Sequence, residues 1–193
     1  MRKLALVLGM ALAASLTARG QFVVPTSYTA TPGGTGLYTY FDDTGSQLTD
    51  GILGVDNWQA DLGHGPAYEW VGWTMGNPSV MFNFASNVTI QTVQIGFNRT
   101  EGVNIYLPTS VSIGGTVFPL SSTDIPDGTR AFLNFNGSWT GNSLQVNLAA
   151  GGAYTFVDEM KFSTTNVPEP GVAAALLGGV ALGWAVWRRR RNS

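Results

Sequence analysis

The sequence predicts an all-β protein, an antiparallel β-sandwich of the jelly-roll kind, with an N-terminal signal helix and a C-terminal transmembrane helix added at its ends. Three observations predict it. Segments in the middle alternate apolar and polar residues with period two, the spacing that turns one face of a strand to a core. Glycine (25 residues), threonine (20) and asparagine (12) are abundant while charged residues make up only 11%, against about 25% in an average soluble chain; this is a composition of short strands and tight turns. Finally, the two long apolar runs sit at the extremes of the 193 residues, and the stretch between them suffices for one core and not for two.

The N-terminal element opens with Met1-Arg2-Lys3, continues as an apolar run from Leu4 to Leu16, and offers small residues at Ala18 and Gly20 for cleavage. That run spans about 20 Å as a helix, short of the roughly 30 Å hydrocarbon core. Residues 1–20 therefore read as a signal peptide removed by signal peptidase after Gly20, with Ala18 the alternative site. The C-terminal element runs from Gly171 to Trp187 without a charged residue, and Arg188, Arg189, Arg190 and Arg191 follow directly. Its length of about 26 Å reaches the short end of the spanning range, Trp184 and Trp187 suit the headgroup interface, and the arginines stay cytoplasmic by the positive-inside rule. Both ends give one topology, with the domain outside the cytoplasm.

Ahead of that helix stands Val167-Pro168-Glu169-Pro170, where each proline disfavours helix at its own position and the one before. Residues 167–193, in this order and at the end of the chain, closely resemble a PEP-CTERM sorting signal. The resemblance implies recognition by an exosortase, a membrane transpeptidase of exopolysaccharide-producing bacteria, with cleavage near Pro168-Glu169-Pro170. It also implies that the helix is temporary, so that the protein is anchored in the inner membrane first and reaches the cell surface or extracellular matrix after processing. The alternative is a permanent single span. The expected organisation is signal peptide 1–20, β-sandwich domain 21–166, PEP motif 167–170, transmembrane helix 171–187 and basic cytoplasmic tail 188–193.

Within the domain, residues 21 to about 37 read as a first strand and an irregular loop. Strand patterns follow at Val80/Phe82/Phe84, Val93/Ile95/Phe97, Val111/Ile113, Leu144/Val146/Leu148 and Tyr154/Phe156/Met160/Phe162. The apolar phase changes between Ile90 and Val93, which predicts a turn or bulge near Gln91-Thr92. Turns are expected at Asp42-Asp43-Thr44-Gly45, Gly114-Gly115, Ile125-Pro126-Asp127-Gly128, Asn136-Gly137, Gly141-Asn142 and Gly151-Gly152.

Charge and cysteine content exclude several functions. From Gln21 to Asn166 eleven acids face three bases, Arg99, Arg130 and Lys161, a net charge of −8, so nucleic acid is excluded as a partner for want of a basic face. No cysteine is present, which removes disulfides, thiolate metal sites and cysteine nucleophiles. His64 is the sole histidine and reads as an exposed loop residue in Gly63-His64-Gly65-Pro66. Eleven acids always allow some pair at glycosidase spacing, and nothing in the sequence selects one.

A second resemblance runs through Leu48-Thr49-Asp50-Gly51, Trp58, Trp70-Val71-Gly72-Trp73, the strand from Ser79 to Phe84, Ile90-Gln91-Thr92-Val93, Leu107 to Ile113 and Val157-Asp158-Glu159-Met160. In order and spacing these are similar to the galactose-binding, discoidin-like domains, a family that includes many carbohydrate-binding modules. The resemblance implies an eight-stranded jelly roll, a structural Ca2+ near an Asp-Gly loop with Asp50 and Glu159 among its ligands, and sugar binding by loops at one end. Asp56 joins the metal candidates from spacing, since calcium takes six to eight hard oxygens that one loop can supply. By phase Asp158 points inward, and a buried carboxylate needs a partner or a metal; alternatively, a bulge at Asp158-Glu159 turns both acids to solvent. Among aromatic residues Trp58 and Trp139 are the ligand candidates, because polar loop sequence surrounds them. Arg99 either grips a ligand or pairs with Glu101. The expected role is non-catalytic polysaccharide binding, with a structural matrix protein and a carbohydrate-active enzyme as the alternatives.

Overall fold

The computed structural model describes residues 21–33, 40–42, 44–61 and 69–164, leaving the side chains of residues 60 and 61 aside. The signal peptide, the PEP motif, the apolar run 171–187, Arg188–Arg191 and His64 lie outside the described residues. Among the described residues no helix is long and apolar enough to cross a membrane.

Eight strands appear in chain order: β1 (Phe22–Val23), β2 (Ser27–Ala30), β3 (Val71–Thr74), β4 (Ser79–Arg99), β5 (Ser110–Ile113), β6 (Thr116–Pro119), β7 (Thr129–Ala149) and β8 (Tyr154–Ser163). All pairings between them are antiparallel. The helical pieces described are three short 3-10 turns. The hydrogen-bonded path runs β1-β8-β4-β7-β5-β6, with β2 also on β4 and β3 also on β8.

The long strands β4 and β7, 21 residues each, pass from one layer of the sandwich to the other. The first part of β4 pairs with β2 and the end of β7; its second part pairs with β8 and the start of β7. The crossing is visible in burial, for Ala85, Ser86 and Asn87 are exposed between the buried Phe84 and Ile90, and the register breaks between Asn83 and Val88. Phe82 and Phe84 from the first half meet Phe162 of β8 at ring distances of 4.7 and 5.4 Å, and Phe118 of β6 meets Phe135 of β7 at 5.4 Å. These contacts join the two layers through one core. The predicted irregularity near Gln91-Thr92 is a register shift between Ile90 and Thr92, and it moves the buried phase from even to odd positions.

Two turn expectations fail. Asn136-Gly137 and Gly141-Asn142 lie inside β7, because pairing with β4 continues through this stretch and keeps the backbone extended. By contrast, Gly114-Gly115 does close the β5–β6 hairpin with both residues at positive φ, as a two-residue turn requires.

A second, smaller apolar cluster of Tyr40, Trp70, Ile105 and Phe156, with Trp58 and Tyr154 packed against it, sits apart from the main core. The outer edge of β8 is shared by three segments. β3 takes Tyr154–Val157, the Leu48 carbonyl accepts the Met160 N–H at 2.7 Å, and β1 takes Phe162 and Ser163. Little of that edge is left open for pairing with another chain.

Candidate functional site

The 48–58 loop is tied down by the strand it crosses. Opposite β4, β8 bulges so that Asp158 and Glu159 together face Gly96. The bulge foreseen as one alternative is therefore present, and it corrects the phase: Val157, Met160 and Phe162 enter the main core, whereas Asp158 lies on the side of Gly96 that faces away from it. The acids are nonetheless not in solvent, because the loop covers them, leaving Asp158 0% and Glu159 3% exposed. Asp158 accepts from Arg130 Nε at 2.7 Å and Nη2 at 3.1 Å, and from the Gly54 N–H at 2.9 Å. Glu159 accepts from the Gly51 N–H at 3.0 Å. Gly96 makes room for this pair, because a Cβ there would fall 1.9 Å from Asp158 Oδ1 and 2.5 Å from Arg130 Nη2. Burial raises the Asp158 carboxyl against the pull of Arg130, and burial pushes Glu159 up to about 7 against the Gly51 hydrogen bond.

Beyond this anchor the chain turns into a 3-10 segment at Trp58. The Asn57 side chain accepts the Gln59 N–H at 3.2 Å, an Asx turn that sets the start of the segment. Trp58 is half-buried, edge-on to Phe156 at 5.8 Å and to Tyr40 at 6.0 Å. A cleft of about 350 Å3 opens here, lined by Asp56, Asn57, Trp58, Gln59, Thr100, Val103 and Gly128. Its far wall is the turn before β7. Arg99 Nη1 donates to the Ile125 carbonyl at 2.9 Å, and the Gly128 N–H donates to the Arg99 carbonyl at 2.8 Å.

Of the residues singled out in the sequence, Trp58 and Asp56 line this cleft together. Arg99 lies behind it, ion-paired with Glu101 at 2.8 Å, the second of its two expected roles. Trp139 is in a strand rather than a loop, paired with Ile90 and packed on Phe118 at a ring distance of 6.2 Å. It lies ten residues along β7 from Thr129, about 33 Å of strand away from the cleft end. Asp50 and Glu159 meet at a second cavity of about 300 Å3 beside Phe22 and Lys161, whereas Asp56 stands away from them and accepts the Arg130 backbone N–H at 2.7 Å. Among the described residues no three His, Cys, Asp or Glu are grouped to hold a metal ion.

The residue that sequence reasoning passed over is Arg130. A signal for it existed: an inward acid on β8 needs a cation, and only three bases are available in residues 21–166.

No protein-family model and no curated protein matches the chain. Solved structures do. A structure of the Streptococcus pneumoniae β-galactosidase BgaA aligns at TM-score 0.50 and 12% identity, covering 75% of this chain and 99% of that one. A Streptococcus pneumoniae fucose binding module, SpX-3, aligns at TM-score 0.49 and 12% identity over 76% of this chain and 99% of the other. The family 32 carbohydrate-binding module of Clostridium perfringens NanJ, solved with galactose, gives 0.43 and 11% over 73% and 96%. At such identities the likeness to BgaA is one of fold alone, and the described domain is an antiparallel β-sandwich.

Proposed function

We propose that this protein is an exported bacterial envelope or matrix protein, sorted by an exosortase, whose β-sandwich domain binds polysaccharide non-catalytically in the cleft beside Trp58. The observation that carries the reading is the cleft itself. A half-buried indole, immobilised edge-on by Tyr40 and Phe156, borders a concavity whose polar rim is Asp56, Asn57 and Gln59. Sugar rings offer apolar C–H faces ringed by hydroxyls, and a fixed aromatic surface beside carboxylate and amide groups matches both features at little cost in side-chain entropy. The chain geometry suits display. The Thr164 N–H donates to the Gln21 carbonyl at 3.0 Å, so the described domain starts and stops at one place. The cleft lies near Phe156, toward the opposite end of β8, about 25 Å away. An attachment made through residues after Thr164, at the Pro168-Glu169-Pro170 motif or the apolar run 171–187, leaves the cleft facing outward.

The test is affinity electrophoresis of the full chain in nonionic detergent through gels containing the producing organism's own exopolysaccharide. Retardation that Trp58→Ala abolishes is the expected result. Unchanged mobility in every polymer tried refutes the binding module and leaves the structural matrix role.

A further inference from the structure

The structure assigns to Arg130 the place of the cation in the 50–58 loop: its guanidinium, without a metal ion, holds the wall of the cleft that carries Trp58. The meaning of this for ligand binding rests on the proposal above; the role in the loop does not.

The chemistry of the donor set carries the inference. A hard cation such as calcium requires carboxylate and carbonyl oxygens turned toward one point. Here the acids are met by N–H groups instead. Gly51 donates to Glu159, Ile52 to Asp50, Gly54 to Asp158 and the Arg130 amide to Asp56. Each acid spends an oxygen on holding the loop, Asp56 faces a different cavity from Asp50 and Glu159, and no three carboxylates of the described residues come together at one point. The residues present thus do not fit the calcium site that the family resemblance implies.

The buried charge of Asp158 still has to be compensated, and the planar fork of Arg130 does so through two nitrogens. No other base of the domain serves, since Arg99 is committed to Glu101 and Ile125 while Lys161 stands over the Phe132 ring at 5.0 Å. Arg130 grips the loop twice. Its side chain reaches Gly54 through Asp158, its backbone N–H holds Asp56 directly, and Trp58 follows two residues later. The guanidinium in turn rests 3.9 Å from the Phe132 ring centroid, a cation–π contact that fixes its plane. Arg130 is accordingly a positioning residue for the cleft.

Amide hydrogen exchange on the full chain in detergent tests this, in excess calcium and in chelator. Protection of the Gly51, Gly54 and Arg130 amides is expected to change less than about twofold between the two conditions, and Arg130→Gln to lower it by about tenfold or more while the Ile95 and Leu133 amides keep theirs. If Arg130→Gln does not fold, the double variant Arg130→Gln/Asp158→Asn strands no charge and is expected to show the same loosening. Protection that calcium raises about tenfold in the unmodified chain, or loop amides as protected in the variants as in the parent, overturns the assignment. The amides are read without glycan. A chain that passes here but is not retarded by polysaccharide refutes the cleft proposal alone, and the opposite pair of results refutes the Arg130 assignment alone.

Discussion

Gly96→Ala tests the Arg130–Asp158 anchor without removing either partner. A methyl group at this position would lie 1.9 Å from Asp158 Oδ1 and 2.5 Å from Arg130 Nη2, well inside van der Waals contact. Asp158 cannot retreat, because it is fully buried and also holds the Gly54 N–H. The methyl must therefore push the two ions apart. Breaking a buried ion pair costs about 3–5 kcal/mol, since a charge is left uncompensated in low dielectric. For a domain of this size each kcal/mol moves Tm by roughly 2–4 °C, so Gly96→Ala should melt roughly 6–20 °C below the parent when unfolding is followed by far-UV circular dichroism. In an Asp158→Ala background the obstructing carboxylate is gone, and the same glycine substitution should cost less than about 1 kcal/mol, a coupling expected only of groups in contact. A Gly96→Ala protein melting with the parent, or an equal loss in both backgrounds, would show that the anchor does not stabilise the fold as argued.

Trp58→Ala should weaken polysaccharide retardation by about tenfold or more, the usual effect of removing an aromatic anchor. Trp139→Ala should instead lower Tm by an amount equivalent to about 1–3 kcal/mol and leave binding unchanged, since that ring packs on Phe118 far from the cleft. Tyr28 accepts the Leu48 N–H at 3.0 Å and donates to Asp42. Tyr28→Phe leaves the Leu48 N–H without its acceptor and Asp42 with one donor fewer, and calorimetry should find a loss of about 1–3 kcal/mol. Because the Glu159 carboxyl is raised from 4.5 to about 7 by burial, the folded protein binds more protons than the unfolded chain between those values, and stability falls as pH rises through that window. In chelator, Tm measured from pH 4.5 to 7 should decline for the parent and decline less for Glu159→Gln; identical slopes would remove Glu159 as the cause.

Local pattern made much of the fold legible. Period-two alternation located the core-facing residues of β4, β5 and β7, the phase change marked the bulge at Ile90/Thr92, and Gly114-Gly115 marked its hairpin; on β8 it held for Met160 and Phe162 only, since the bulge sends Phe156 to the smaller cluster and Val157 to the main core. What alternation did not reveal is that Phe84 and Val93 belong to one strand. The exposed Ala85-Ser86-Asn87 stretch reads as a break, and only pairing with β7 across it keeps the chain extended. The same pairing drew Asn136-Gly137 into β7 against its own turn preference.

The candidate site divides along the same line. Trp58 stood out because its surroundings are polar in the sequence, and it does border the cleft. Trp139 looked alike by that criterion and differs only because β4 pairs alongside it. The phase of β8 put Asp158 on the core face with Met160 and Phe162, but the bulge places it on the other face, buried under the 48–58 loop; that a buried acid needs a counterion followed from elementary electrostatics. Its partner was not visible. Arg130 lies 28 residues from Asp158, Gly54 lies 104 from Asp158, and Gly51 lies 108 from Glu159. Their meeting depends on a strand register, a bulge opposite Gly96 and the path of a loop across an outer sheet face. Neighbours along a chain fix which side of an unbroken strand a residue faces, because that depends on backbone geometry alone, and a bulge such as that at Asp158-Glu159 resets it. Which distant group meets it there is a property of the packed whole, and so the sequence by itself determined the β class and the core faces, while the tertiary structure decided that a guanidinium holds the cleft.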